Sequence, residues 1–224
     1  MESGRSFIRF GGLMKRIVTR ALIVLAATLA IVFAQVAPAS ATPANKLAST
    51  LAASWTTVLQ TLADQSPYGS GGPETGCVDL GGTLAPGWPF GFTGERSCTV
   101  KPGTKIFVTA SSFECSTIPG DDGGPGLTEE QLRACARDLN LKMSPTAPTV
   151  TLDGRPVPIT AVETQLMNIV LPADNIFGAP AGTYRSAAHG WVALLHPLTP
   201  GTHAIVIGGT VPTNTTTIVV KPGH

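Results

Sequence analysis

The four histidines of this 224-residue chain, the side chains whose ordinary pKa best suits acid–base chemistry near neutral pH, all lie late in the sequence. Three late histidines, His189, His196 and His203, precede the terminal His224. His196 and His203 flank a short turn, so their rings are predicted to meet across a hairpin. Nucleophilic catalysis also needs a serine or cysteine and an orienting acid, and the chain has no G-x-S-x-G elbow. Two histidines make a weak metal site, so hydrogen-bonded histidines at strand ends are the preferred interpretation, with no metal and no cofactor.

A candidate catalytic loop lies at residues 172–186, the longest irregular stretch between well-marked strand patterns. Functional groups sit disproportionately on loops held by a rigid scaffold. If the protein is a hydrolase, Asp174 and Tyr184 should converge with one of the late histidines, near the 196–203 turn, in one concave pocket. The other interpretation of Asp174 is an Asx-type turn that satisfies backbone N–H groups, and it is preferred.

A candidate binding surface comes from alternating aromatic residues. Trp88, Phe90 and Phe92 would share one face of a strand, and Pro89 favours an edge position for that strand. Exposed alternate aromatics form a flat apolar platform for a ligand. The leading functional hypothesis is therefore a non-catalytic binding or cell-surface interaction module, whose partner is an unknown ligand, protein or glycan. A secreted hydrolase is the alternative.

The four cysteines are Cys77, Cys98, Cys115 and Cys135. In an oxidising compartment two disulfides are expected. Of the three pairings, Cys77 with Cys98 and Cys115 with Cys135 is favoured, because each closes a loop of roughly twenty residues, although sequence alone leaves the others open. The cysteines have no C-x-x-C spacing, which argues against a zinc site.

The compartment is predicted from the first 41 residues. Lys15, Arg16 and Arg20 precede an unbroken apolar run, and Ala39-Ser40-Ala41 has the small-residue pattern of a signal-peptide cleavage site. The chain is thus predicted to be secreted after cleavage behind Ala41, with residues 42–224 as one domain. A retained anchor is the alternative, because the run is about 20 residues long.

Charge excludes some classes of partner. The leader would hold five of the 15 Lys and Arg residues and one of the 14 Asp and Glu residues. The remainder is slightly acidic, so it favours neither nucleic acid nor an anionic membrane surface as partner, and no stable membrane insertion is expected after cleavage. The acidic run Asp121-Asp122-Gly123-Gly124 lacks the spacing of a calcium loop and is interpreted as a solvated turn.

Hydrophobic periodicity predicts a mostly β chain with two helices. Apolar residues recur at helical spacing over about residues 43–64, and Trp55 is interpreted as a packing anchor. Thr128 and Gln131 form a capping box for a second helix. Hairpins are predicted at Pro102-Gly103 and at Asp153-Gly154. The expected fold is an antiparallel β-sandwich with an N-terminal helix, one inserted helix and disulfide bonds.

The order of motifs in the mature part is also recognisable. The motifs are Gly76-Cys77, Arg96-Ser97-Cys98-Thr99-Val100, Pro102-Gly103-Thr104-Lys105-Ile106-Phe107, Leu152-Asp153-Gly154, Leu171-Pro172-Ala173-Asp174-Asn175-Ile176-Phe177-Gly178, Pro180-Ala181-Gly182-Thr183-Tyr184, Gly190-Trp191 and Pro197-Leu198-Thr199-Pro200-Gly201-Thr202-His203. With them the chain resembles a family of exported bacterial proteins known mostly as hypothetical secreted proteins. The resemblance covers nearly all of the mature chain and implies a disulfide-bearing β-sandwich without an established activity. Pro89 departs from the aromatic-rich strand of that family.

Overall fold

The structure is a computed structural model that describes residues 43–64, 76–86, 95–209 and 213–223. Within those residues the chain is mostly β, and neither of the two helices is long and apolar enough to span a bilayer. The predicted leader and the aromatic segment at 88–92 lie outside the described residues. The helices are α1 (Ala44–Leu59) and α2 (Glu129–Met143). The strands are β1 (Cys77–Asp79), β2 (Thr83–Pro86), β3 (Glu95–Val100), β4 (Lys105–Ser116), β5 (Thr149–Leu152), β6 (Arg155–Pro156), β7 (Thr160–Glu163), β8 (Met167–Leu171), β9 (Gly182–Leu195), β10 (Gly201–Gly208) and β11 (Asn214–Val220).

The described strands form two sheets. The first has the order β1-β2-β4-β9-β7, and β8 pairs with the start of β9. The second has the order β3-β11-β10-β5-β6. Most neighbours are antiparallel, as predicted, but β2 runs parallel to β4 and β3 runs parallel to β11. The sequence does not indicate these two pairs, because parallel strands are not joined by a tight turn whose residues could be recognised.

The centre of the molecule is the antiparallel pair of β4 and β9, which runs from Ile106 opposite Leu195 to Ser116 opposite Ser186. Almost all side chains of β4 are buried, on both of its faces. A strand with that pattern needs cover on both sides. Helix α1 covers one face, where Trp55 belongs to the same core cluster as Phe107.

The opposite face of this pair has two covers. Near the start of β4, Val108 shares a core cluster with Ile205 and Ile218 of the second sheet, which is the contact that a sandwich requires. A β-bulge then interrupts the register between Thr109 and Ser111. Beyond the bulge, α2 covers the pair. Its buried residues Leu132 and Ala136 pack on Cys115 of β4 and Ala187 of β9.

Both disulfides have the pairing that the sequence favours. Cys77 of β1 is bonded to Cys98 of β3, so this bridge joins the two sheets. Cys115 of β4 is bonded to Cys135 of α2, so the second bridge fixes the inserted helix on the first sheet. Each cross-link therefore ties together two layers of the fold.

Local signals predict several elements correctly. The capping box of α2 is present, with Thr128 accepting from the Gln131 backbone and Gln131 accepting in return. Asp153 and Gly154 both have positive φ, at 51° and 76°, as a two-residue turn between β5 and β6 requires. Helix α1 ends at Leu59, earlier than predicted, and the side chain of Gln60 accepts a hydrogen bond from the backbone of Val170 on β8.

Two strand predictions need correction. A turn with Gly103 at φ 86° does follow β3, but it carries the chain to the other sheet, so the predicted hairpin is wrong. The strands before and after this turn carry apolar residues whether they pair with each other or lie in different sheets. The hydrophobic pattern alone therefore does not distinguish a hairpin from a crossover. The single strand predicted at 161–171 is two strands, β7 and β8, which pair with different parts of β9.

Gly190 of β9 lies where β4 approaches closely. A Cβ atom added there would stand 2.8 Å from the Cβ of Ser112 and 2.9 Å from the backbone oxygen of Ser111. The Ser112 hydroxyl accepts a hydrogen bond from Trp55 Nε1 and donates to the backbone oxygen of His189, so Ser112 cannot move away without disturbing α1.

We expect Gly190→Ala to lower the free energy of unfolding by about 2 kcal/mol, because an overpacked core forces backbone shifts. Gly182→Ala is the matched control on the same strand, since its added Cβ would meet nothing closer than 3.6 Å. Urea unfolding of both variants measures the difference. Equal stability of the two variants would show that β4 and β9 have room for a methyl group at Gly190.

Candidate functional site

A buried polar cluster lies under α2, just beyond the bulge in β4. Asn140 is fully buried, and its Nδ2 donates to His189 Nδ1 at 2.9 Å. The Ser111 hydroxyl donates to Asn140 Oδ1 at 2.6 Å and lies 2.9 Å from the Ser144 hydroxyl. Since Ser111 uses its single hydrogen on Asn140, Ser144 is the donor to Ser111.

The protonation of His189 follows from this geometry. Its Nδ1 accepts from an amide, so the proton of the neutral ring is on Nε2. Burial lowers the pKa of His189, and the positive charge of Arg137 acts in the same direction, against the charge of Glu163. His189 is therefore neutral at pH 7.

An ion-pair group borders this cluster. Glu163 of β7 lies opposite His189 in register, and it binds Arg133 Nη1 at 3.2 Å and Arg137 Nη2 at 2.5 Å. Burial acts to raise the pKa of Glu163, but the hydrogen bonds from Arg137 and Arg133 prevail and lower it. Both arginines belong to α2, so this group also attaches α2 to the first sheet.

The cluster does not have the arrangement of a catalytic triad. Ser111 and His189 each bind Asn140 and not each other, whereas a serine nucleophile needs a direct hydrogen bond to its base. The arrangement instead satisfies polar groups where α2 meets the sheet. The sequence does hold a signal for it, because Asn140 follows Leu132 and Ala136 at spacings of four on the buried face of the helix.

A second buried polar group lies at the end of β4. The carboxyl groups of Glu114 and Asp121 lie within hydrogen-bonding reach of each other, and each accepts a hydrogen bond from a serine, Ser186 for Glu114 and Ser116 for Asp121. The prediction of a solvated acidic turn is therefore wrong for Asp121, because the buried serine at the end of β4 draws its carboxyl group toward the sheet. Asp122 is exposed, but Asp121 turns toward the sheet.

The candidate residues of the predicted catalytic loop at 172–186 do not converge, and the side chains of Asn175 and Tyr184 bind backbone groups of the loop itself. Asp174 is exposed, and it is the neighbouring Asn175 that forms the Asx-type turn, accepting from the backbone N–H groups of Phe177 and Ala179. The Tyr184 hydroxyl donates to the backbone oxygen of Pro180. The expectation of an Asx turn was right in kind but assigned to the wrong residue.

His196 and His203 do not meet across the turn, and His203 is instead hydrogen-bonded at the strand end, as the preferred interpretation holds. His203 Nδ1 lies 2.8 Å from Asp153 Oδ2, and its Nε2 lies 2.9 Å from the backbone oxygen of Thr199. The hydrogen bond with Asp153 raises the pKa of His203, and the charged ring can donate to both acceptors. His196 is exposed. Among the described residues, no contact joins Asp174, Tyr184 and the late histidines, so the hydrolase hypothesis gains no support from geometry.

A groove of about 530 Å³ lies between α1 and the connection from β7 to β8. Small side chains of α1, among them Ala48 and Ala52, line the groove on one side. Glu163 and Gln165 line it on the other side. None of the residues singled out in the sequence as catalytic or binding candidates contributes to it. Its Glu163 is held by the two arginines of α2.

The outward side of the second sheet forms what we call the hydroxyl face. Alternation along the strands places its buried residues, such as Val150, Ile205 and Ile218, in the core and leaves the intervening residues exposed or half-exposed. Both helices pack on the first sheet. The hydroxyl residues of this face are Ser97, Thr99, Thr149, Thr151, Thr202, Thr215 and Thr217, and Ala204, Val206 and Val219 lie among them.

Two properties distinguish the hydroxyl face. Among its described side chains it carries no charge. The charged residues Lys101 and Lys221 come just after the ends of β3 and β11. The side chain of Glu95, the first residue of β3, lies outside the described part. Its hydroxyl groups make no hydrogen bond with another described residue, whereas the buried hydroxyl groups of Ser111, Ser112 and Ser186 are all paired.

Comparisons with known proteins give no family for the chain. No protein-family model matches it, and no curated protein matches it. Among solved structures, the "Solution Structure of Amebosin" aligns at 10% identity, over 56% of this chain and 89% of the other, with a TM-score of 0.19. A TM-score that low carries no argument about fold or function.

We expect Asn140→Ala to lower the free energy of unfolding by about 3 kcal/mol, because it leaves buried groups of Ser111 and His189 without their partner. Asn168→Ala, at an exposed position of β8, should change it by no more than about 0.5 kcal/mol. Urea unfolding at pH 7 measures both. A loss for Asn140→Ala that matches the control would mean that the cluster does not hold α2 on the sheet.

Proposed function

We propose that this protein is an exported, non-catalytic binding module that contacts the cell surface through its hydroxyl face. The two disulfides support export, because such bonds persist in oxidising compartments. The signal pattern of residues 1–41 supports it from the sequence.

The observation that carries the proposal is the combination of an uncharged face with unpaired hydroxyl groups. The centres of protein interfaces are depleted in charged residues and surrounded by a polar rim. A threonine adds a methyl group for apolar contact and a hydroxyl group that both donates and accepts. This chemistry fits an uncharged partner that can form hydrogen bonds, such as a neutral glycan or an uncharged protein surface.

The ordinary interpretation of such a face is strand propensity, since threonine and valine both favour strands. Propensity alone does not explain why lysine, arginine and glutamate are missing from the described centre of the face. A solvent-facing sheet usually carries charged residues, which also protect it from association. The lack of charge is therefore the feature that favours binding.

The partners of the buried titratable groups support the non-catalytic part of the proposal. His189, one of the late histidines considered for catalysis, is held by Asn140, and the carboxyl groups of Glu163 and Glu114 are held by neighbouring side chains. The aromatic platform of Trp88, Phe90 and Phe92 stays a prediction. These three residues lie outside the described part of the chain.

We expect Thr217→Lys and Thr217→Glu each to reduce binding of the labelled mature protein to isolated cell envelopes of the producing organism at least tenfold. Thr217 is in the central part of the face, and a charge of either sign would lose its hydration against an uncharged partner. Sedimentation with the envelopes, over a range of protein concentrations, gives the apparent Kd.

The matched controls are Thr183→Lys and Thr183→Glu, at an exposed position of β9 outside the face. They should bind like the unmodified protein. Tighter binding by one sign at Thr217 and weaker binding by the other would indicate a charged partner. Binding unchanged by either substitution would refute contact through this face.

A further inference from the structure

Glu114 and Asp121 form a carboxyl pair at the junction of β4, β9 and the turn at 117–126, which leads to α2. Glu114 is only 7% exposed, and Ser116 and Ser186 are fully buried. The Ser186 hydroxyl on β9 donates to Glu114 Oε2, and the Ser116 hydroxyl donates to Asp121 Oδ2. One carboxyl thus comes from the sheet and the other from the turn.

The turn is folded back on the end of β4 by its backbone as well. The Ser116 N–H donates to the Asp122 backbone oxygen, and the Gly124 N–H donates to the Ser116 backbone oxygen. The Ile118 N–H donates to the Ser116 hydroxyl, which therefore serves the turn twice. Gly123 has φ 118°, and an added Cβ would stand 2.7 Å from the Ser116 oxygen. The carboxyl groups of Glu114 and Asp121 add a side-chain contact between the turn and the sheet to these backbone hydrogen bonds.

We propose that Glu114 and Asp121 share one proton and form a latch that holds the 117–126 turn on the first sheet in acid and weakens when the proton leaves. Two ionised carboxylates are acceptors only, so a hydrogen bond between them needs a proton on one of them. Because Glu114 is the more deeply buried of the two, the proton resides on Glu114 and Asp121 accepts it.

The electrostatic surroundings agree with this assignment. Burial raises the pKa of Glu114 well above its usual range, the charge of Asp121 raises it further, and Asp122 of the turn adds a smaller effect, while the Ser186 hydroxyl opposes them. Burial also raises the pKa of Asp121. Among the described residues no cation pairs with either carboxyl, and Arg185, beside Ser186 on β9, donates to the backbone oxygen of Leu127.

The sign of the pH effect follows from the raised pKa. Between the ordinary carboxyl pKa of about 4 and the raised value, the folded protein keeps a proton that the unfolded chain has released. The contribution of the latch to stability is complete below the ordinary pKa and is lost as pH rises through the raised pKa. Outside that window the latch adds no dependence on pH.

The test compares the unmodified protein with Glu114→Gln, which keeps a donor for Asp121 and an acceptor for Ser186 but cannot ionise. The unfolding equilibrium constant is measured by urea from pH 4 to pH 8, and the ratio of the two proteins is taken at each pH. Titrations of His189, His203, Asp153 and Glu163 are common to both proteins and cancel in the ratio. Glu130→Gln, on an exposed carboxyl of α2, is the control.

We expect the unmodified protein to lose stability relative to Glu114→Gln as pH rises, with the ratio changing up to about tenfold per pH unit inside the window. Relative to Glu130→Gln the ratio should stay level. The ratio of the amide exchange rates of Ile118 and Gly124 in the unmodified protein to those in Glu114→Gln cancels the intrinsic rise of exchange with pH and reports opening of the turn. This ratio should increase as pH rises.

An infrared titration of the unmodified protein tests the shared proton without a variant. A carboxylic acid band that persists above about pH 6, where exposed carboxyl groups are ionised, is the expected result. Complete loss of that band near pH 4, or a stability ratio independent of pH, would overturn the proposal. A stability ratio that changes with pH, while the ratio of the amide exchange rates of the turn stays constant, would refute the latch.

Discussion

The rest of the structure depends on burying the β4–β9 pair on both of its faces. This pair is the longest among the described strands, and it is covered by α1 on one side and by the second sheet and α2 on the other. The second half of β4 carries three serine hydroxyl groups and the carboxyl group of Glu114, and a polar group buried without a hydrogen bond is costly. The two helices therefore bring partners, Trp55 of α1 for Ser112 and Asn140 of α2 for Ser111. Within the pair itself, Ser186 of β9 serves Glu114.

This constraint explains where the reactive residue types of the chain are used. His189, Glu163, Arg133 and Arg137 look like site residues when taken singly, but their partners attach α2 to the first sheet. The hydroxyl face is the opposite case, because its polar groups have no described internal partner. In our account, internal polar groups hold the layers together, and the outer face of the second sheet is left for binding.

Sequence predicts those features of this fold that depend on neighbouring residues. The capping box at Thr128, the Asp153-Gly154 turn and the helical periodicity of α1 all act within a few residues. The turn at Gly103 shows the limit, since its local conformation does not determine whether the next strand pairs with β3 or crosses to the other sheet. The pairs of Asn140 with His189 and of Glu114 with Ser186 join residues 49 and 72 positions apart, so only tertiary packing reveals them.

The most direct test of the central claim is hydroxyl-radical footprinting of the protein, alone and bound to cell envelopes. It measures the exposure of individual side chains to solvent. We expect Val206 and Val219 on the hydroxyl face to become protected in the bound protein, while Tyr184 and His196 keep the reactivity of the free protein. Protection of Tyr184 and His196 with unchanged Val206 and Val219 would contradict the account, because contact would then lie at the loops and not at the second sheet.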